Sequence, residues 1–208
     1  KHIDLIFIIN NASTDGTEDI LKHNGLSKSD SIFIYNLPQN IGGAGGFKFG
    51  IEKCLEANVE WLWLMDDDGY PERQSLSELF TYAKANNLDA ISPLQIDIKN
   101  HKNLAFPIRD PKQGKAHQLY QLANTTFIEK QANLFNGLLI NKNVFNSIGL
   151  PKEELFIRGD EVEFTNRMIK CDISFGTLVT SHFYHPSDFH ERIPILRNLI
   201  IIRDANNT

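Results

Sequence analysis

Three adjacent carboxylates, Asp66, Asp67 and Asp68, close the apolar run Trp61-Leu62-Trp63-Leu64-Met65. Like charges at the end of a buried strand repel, and a cation or a cationic partner relieves them. Asp66 and Asp68 are two apart, so on an extended backbone they point to the same side. That spacing suits a hard divalent ion that also holds a diphosphate. A solvated acidic turn is the competing reading, because Gly69 and Pro71 break the chain directly afterwards.

Four further constellations bear on chemistry. Asn10 to Thr17 is a polar turn after a β-branched run, suited to gripping a nucleoside base or ribose, or simply to capping a helix through Ser13 or Thr14. Pro38 to Phe47 carries four glycines at a helix start. Glycines let a ligand approach the backbone, and the helix N-terminus offers N–H groups to a phosphate. The segment is neither the dinucleotide G-x-G-x-x-G fingerprint nor a P-loop, since Lys48 is followed by Phe49. Asp160, Glu161 and Glu163 crowd the start of a helix after the apolar Leu155 to Ile157. Acids in a first helical turn favour the dipole, and they also form a second candidate carboxylate cluster. Finally, His182, His185 and His190 lie near Asp188 without any zinc-type cysteine pattern, and one of them is a candidate to complete a site with Asp66 or Asp68.

The elements that position these residues alternate. Strands are predicted over 3–9, 31–35, 60–65 and 89–93, and helices over 18–24, 42–57 and 75–86, the last with Leu76, Leu79, Phe80 and Ala83 on one stripe. This order implies a mostly parallel sheet with helices on both faces, whose ligands bind beyond the carboxyl ends of strands. The second half differs. Residues 97–118 read as an exposed loop or hairpin with several basic residues. Strand-like runs lie around Phe127, Leu138 to Ile140 and Phe175 to Thr180, a helix over 161–170, and a final helix over 195–203.

Composition narrows the classes. The chain has 208 residues, 41% hydrophobic, enough for one sizeable core. A net charge of -5 argues against nucleic acid as a partner. No apolar run reaches a membrane span, and no signal-peptide pattern opens the sequence. Two distant cysteines, Cys54 and Cys171, make no disulfide framework, so a reduced, cytoplasmic setting is expected.

The segments at 11–17, 40–46, 66–68 and 160–161, in this order, resemble the inverting family 2 glycosyltransferases of GT-A fold, across nearly the whole chain. The Asp triplet, the double-glycine loop, Phe135-Asn136-Gly137 and Phe-Ile-Arg-Gly-Asp-Glu at 156–161 are similar to bacterial galactofuranosyltransferases and their rhamnosyltransferase relatives. The resemblance implies an α/β, GT-A-like (Rossmann-like), mostly parallel sheet flanked by helices, with a smaller acceptor-side subregion. Residues 1–208 would form one domain: a nucleotide-sugar-binding half, 1–95, and an acceptor-binding and catalytic half, 96–208, with a further strand expected upstream of Lys1. It assigns Asn11, Ser13, Asp15, Asn40, Gly43, Gly46, Asp67 and Arg197 to the nucleotide-sugar. Asp66, Asp68 and His185 would hold Mn²⁺ or Mg²⁺, with His182 in reserve. Glu161 would be the general base and Asp160 the second choice, while Phe135, Asn136, Gly137 and Glu163 would line the acceptor side. The implied partners are a UDP- or dTDP-sugar and a hydroxyl of a glycan or lipid-linked acceptor, in polysaccharide synthesis at the cytoplasmic face, with peripheral membrane contact. Two residues depart from the family: Asn10 stands where Asp is common, and Glu161 where an Asp is more frequent, one methylene shorter. Three other readings compete. A metal-dependent phosphohydrolase would want an earlier nucleophilic Asp, a sugar nucleotidyltransferase would want a basic glycine loop after the first strand, and a sugar-binding module would need no base.

Overall fold

The computed structural model describes residues 3–23, 25–26, 29–112, 114–156, 159–187, 192–196 and 199–202. Two βα units come first: β1 (Ile6–Asn10), α1 (Thr17–His23), β2 (Ile32–Asn36) and α2 (Gly42–Glu56). β1 and β2 pair in parallel, Ile6 opposite Ile32 through Asn10 opposite Asn36, and form a two-stranded sheet of their own.

The larger sheet has eight strands. β3 (Trp61–Met65), β9 (Asn136–Asn141), β5 (Ala90–Asp97), β10 (Phe175–His185) and β4 (Tyr70–Pro71) follow one another across it. β6 (Asn103–Asp110) joins β5 to β7 (Gly114–Gln118), and β8 (Phe127–Glu129) pairs with β10. The expected helix-flanked α/β architecture is present. The parallel ladders are β1–β2 and β5–β10, and the rest are antiparallel, so the sheet is mixed. β5 spans the boundary expected at 95/96, so the two halves share one sheet.

Strand alternation divides the core. On one face Ala90, Leu138 and Ile140 pack with Ile51 of α2, with Val144 and Phe145 of α4 (Asn143–Ile148), and with Phe164 and Met168 of α5 (Asp160–Lys170). On the other, Ile91, Leu139 and Leu178 pack with Leu79 and Ala83 of α3 (Ser75–Asn86).

The structure changes several expectations. β5 and β10 run further than 89–93 and 175–180, to Asp97 and His185. Polar residues inside them masked their length, and each has a partner. Gln95 donates Nε2 to the carbonyls of Pro93 and Asn136, and Ser181 shares a hydrogen bond with Ser75. Residues 97–118 include the β6–β7 hairpin. Among the described residues of the span 195–203, where a final helix is expected, 195–196 and 199–202 are strand instead. β11 (Arg192–Leu196) pairs antiparallel with β12 (Leu199–Ile202), and the isoleucine-rich sequence favours strands by χ1 stiffness.

Candidate active site

β3 carries the acid triplet to the edge of β10. The chain bends over 66–68 instead of continuing as a strand, so the same-side rule for Asp66 and Asp68 does not apply there. Gly69 makes the close approach feasible: a Cβ there would lie 2.4 Å from the Phe183 ring and 2.7 Å from the Tyr184 carbonyl. Tyr70 and Pro71 then pair with Tyr184 and Phe183, and Asp68 meets His185 with Oδ1 to Nε2 at 2.9 Å. His185 Nδ1 lies 2.6 Å from the Pro186 carbonyl, which can only accept, so Nδ1 carries the hydrogen. Nε2 of a neutral ring then presents a lone pair to a carboxylate oxygen. Two such atoms stay together only with a cation between them, either a proton or a metal ion. The hydrogen bond from His185 holds the Asp68 carboxyl below its ordinary range. Asp66 behaves oppositely. Desolvation by the surrounding protein and then the charges of Asp67 and Asp68 raise it, opposed by the Asp67 N–H it accepts at 3.0 Å. Asp67 is exposed. His182 instead pairs with Glu72 at 3.2 Å.

The donor fit is that of a hard or borderline divalent ion. Among the described residues no group of three or more His, Cys, Asp or Glu converges. A carboxylate and an imidazole leave room for phosphate oxygens and water in the remaining positions.

The asparagine turn and the glycine loop form one network. Asn10 is buried, donates Nδ2 to Asn36 Oδ1 and accepts the Ser13 N–H. Asn11 donates Nδ2 to Asn40 Oδ1 and the Gly42 carbonyl, while its Oδ1 accepts the Ile41 N–H. Asn40 accepts the Gly42 N–H, and the Phe156 carbonyl accepts that of Ala44. The N–H groups of Ile41, Gly42 and Ala44 at this helix start are therefore already taken within the protein. Gly42, at φ +74, lets the Phe156 carbonyl approach to where a Cβ would stand 2.4 Å away, so this glycine serves contact between two loops. Gly43 has open space around its Cα, and Gly46 faces Asn11. Asp15, rather than Ser13 or Thr14, accepts from the Thr17 N–H and Oγ1 at the start of α1, and that hydrogen bonding lowers its carboxyl.

α5 separates the acids it carries. Asp160 is buried, whereas Glu161 lines a cleft of about 160 Å³ with Gln95, Phe106, Gln131, Asn133 and Thr177 among its neighbours. Phe106 also packs on the His185 ring, centroids 4.9 Å apart, so the Glu161 cleft adjoins the Asp68–His185 pair. Glu163 instead meets Arg167 at 2.8 Å and Lys152 at 2.9 Å. Burial raises its carboxyl, but the two cations outweigh that and hold it below the ordinary range.

Phe135, Asn136 and Gly137 are not among the residues that line this cleft. Phe135 stacks on Phe47 at 4.1 Å, Asn136 donates to Asn133, and the Gly137 carbonyl accepts from Trp63 Nε1. Gly137, at φ +89, has no room for a Cβ against Phe183 and Pro93. Ile157, Arg158, Asp188, His190, Arg197 and Arg203 lie outside the described residues. Sequence reasoning missed Gln95, Phe106 and Asn133. Gln95, a polar residue between Leu94 and Ile96 in β5, was the available signal.

The helix-flanked mixed sheet is the fold of GT-A glycosyltransferases. Two solved structures share the fold: GalNAc-T7 with UDP, GalNAc and Mn²⁺ (TM-score 0.65, 14% identity, 88% of this chain and 38% of that one) and S. aureus TarS 1-349 in complex with UDP (TM-score 0.60, 16%, 88% and 51%). The model of glycosyl transferase family 2 matches residues 3–147, and the chain belongs to that family. Galactofuranosyltransferase GlfT1 of Mycobacterium tuberculosis is 37% identical over 161 residues, 76% of this chain and 53% of that protein. The dTDP-rhamnosyl transferase RfbF of Shigella flexneri is 26% identical over 155 residues, 74% and 50%. The chain spans about half the length of these curated relatives.

Proposed function

We propose that the chain is the catalytic part of a metal-dependent, inverting glycosyltransferase. It moves galactofuranose or rhamnose from a UDP- or dTDP-sugar to a hydroxyl of a glycan or lipid-linked acceptor in cell-surface polysaccharide synthesis. The adjacency of the Asp68–His185 pair to the Glu161 cleft, through Phe106, carries this reading.

Asp68 and His185, with Asp66 near them, would hold Mn²⁺ or Mg²⁺, and the imidazole nitrogen favours Mn²⁺. Bound there, the ion supplies Lewis-acid stabilisation of the departing diphosphate. Glu161 takes the proton of the acceptor hydroxyl as that oxygen attacks the anomeric carbon opposite the leaving group, which inverts the centre. Asp160, buried in the first turn of α5, is the second choice for that role. Asn11 and Asn40 hold the loop that faces the nucleotide, with Ser13, Asp15, Gly43, Gly46, Asp67 and Arg197 completing the donor side. Gln95 and Asn133 join the acceptor side, and Phe135 to Gly137 shape its floor.

β1 and β3 belong to different sheets. Among the described residues those two strands share no ladder, although α2 lies against both: a Cβ on Gly50 would contact Ile9, and Ile51 clusters with Leu62.

Calorimetric titration of UDP and dTDP, with and without Mn²⁺, tests the donor site. One nucleotide should bind only with the ion, and Asp68→Ala should lose that binding. Metal-independent binding that survives Asp68→Ala would overturn the assignment.

A further inference from the structure

The chain is acidic as a whole, yet the stretch from residue 98 to 127 is basic. It contains Lys99, Lys102, Arg109, Lys112 and Lys115, all exposed, and one carboxylate, Asp110. Asp110 is buried, accepting from Thr125 Oγ1 and the Lys112 N–H, whereas the five cations face solvent. Five cations and one acid make +4 here, which leaves -9 for the rest of a chain of net charge -5. No ion pair among the described residues involves any of the five.

Their placement on the hairpin is not neutral. Arg109 stands directly opposite Lys115 in the β6–β7 ladder, so the two side chains share a face, and like charges directly opposed destabilise a strand pair. A hairpin that keeps such a pair at its exposed tip, with Lys112 in the turn, is matched to an anionic surface. At the other end the Leu119 N–H donates to the Lys102 carbonyl, which sets Lys102 beside the 3-10 turn Leu119–Leu122. Tyr120 on that turn is 72% exposed and borders an apolar groove formed by Leu119, Leu122 and Val179. An exposed tyrosine beside cations suits the boundary between lipid headgroups and acyl chains. The inner side of the same hairpin supplies Phe106, Pro107 and Ile108 to the Glu161 cleft.

We propose that the outer face of the β6–β7 hairpin, with Tyr120, docks on an anionic lipid bilayer and so brings the Glu161 cleft to a lipid-borne acceptor. The acceptor half of this statement rests on the glycosyltransferase reading above; the docking half rests on charge and exposure alone. No helix among the described residues is long and apolar enough to cross a membrane.

The test is co-sedimentation of the full chain with phosphatidylcholine vesicles, with and without phosphatidylglycerol. Binding should require phosphatidylglycerol and weaken as salt rises. Each cation near such a surface contributes about fivefold, so replacing Arg109, Lys112 and Lys115 together by Glu should lower partitioning at least ~100-fold with an unchanged circular dichroism spectrum. Tyr120→Ser should lower it severalfold without altering the salt dependence. Equal sedimentation of wild type and the triple variant, or none with phosphatidylglycerol, overturns the proposal. Binding to soluble polyphosphate but not to vesicles overturns it too, because the partner is then a dissolved polyanion. Transfer to a short water-soluble acceptor should be the same in wild type and triple variant. If neither transfers, the glycosyltransferase reading fails while the vesicle result is judged separately.

Discussion

β1 and β2 differ from β5 in how they are held. β5 has all eight residues buried, while β1 buries only Asn10 and β2 buries none. The eight-stranded sheet is anchored by apolar packing on two faces. The β1–β2 unit relies on α2 and on hydrogen bonds between asparagine side chains and loop backbone. Packing resists local opening, whereas exposed polar networks open at low free energy. The β1–β2 unit is thus the adaptable side and the eight-stranded sheet the rigid side; under the proposed function, that division would suit closing over a nucleotide-sugar while Glu161 stays fixed.

Four measurements break or sharpen this contrast. Glu161→Gln should reduce transfer about 10³-fold, within the range of a general base, while donor affinity stays unchanged; a variant with full turnover would remove Glu161 from the mechanism. Ile91→Ala, at a fully buried position on the rigid side, should cost about 3 kcal/mol in urea unfolding. Asn11→Ala removes three hydrogen bonds on the adaptable side. Donor KM should rise about tenfold, and amide exchange should quicken over residues 40–46, with the unfolding midpoint almost unmoved. A midpoint shift as large as that of Ile91→Ala would show the two regions to be one cooperative unit.

The smallest effect concerns Glu163. Its folded carboxyl titrates below its unfolded value, so its contribution is whole above about pH 4.3 and is lost as pH falls through the folded value. Glu163→Gln should destabilise by about 1 kcal/mol at pH 7 and by nothing in acid below both values. A difference that persists in acid would assign the effect to packing instead.

Much of the fold was legible along the chain. α3 runs from Ser75 to Asn86 as its apolar spacing predicts, and Asn87 ends it in the left-handed region that asparagine tolerates. β1, β2, β3 and α2 lie within a few residues of expectation because local periodicity and glycine placement act over one turn or one strand. β5 and β10 were harder to read. Gln95, Ser181 and His182 are polar by type, and only their distant partners, Asn136, Ser75 and Glu72, show how the strands accommodate them.

The site divides the same way. Residue types and order alone determined that an acid triplet closes an apolar strand, that acids crowd the start of α5, and that asparagines and glycines occupy two βα turns. Tertiary structure decided which members act together. Asp68 rather than Asp66 faces His185, because the chain bends after Met65 and Gly69 lets it lie against Phe183. Glu161 rather than Glu163 lines the cleft, because Arg167 and Lys152 draw Glu163 aside. The Gly42 N–H and carbonyl and the Ala44 N–H join a loop-to-loop network, because Asn40, Asn11 and the Phe156 carbonyl respectively reach them first. Local sequence sets backbone preference over a few residues. Side chains from distant segments converge only when the core has packed and the strand register is fixed, and that information is distributed over the whole chain.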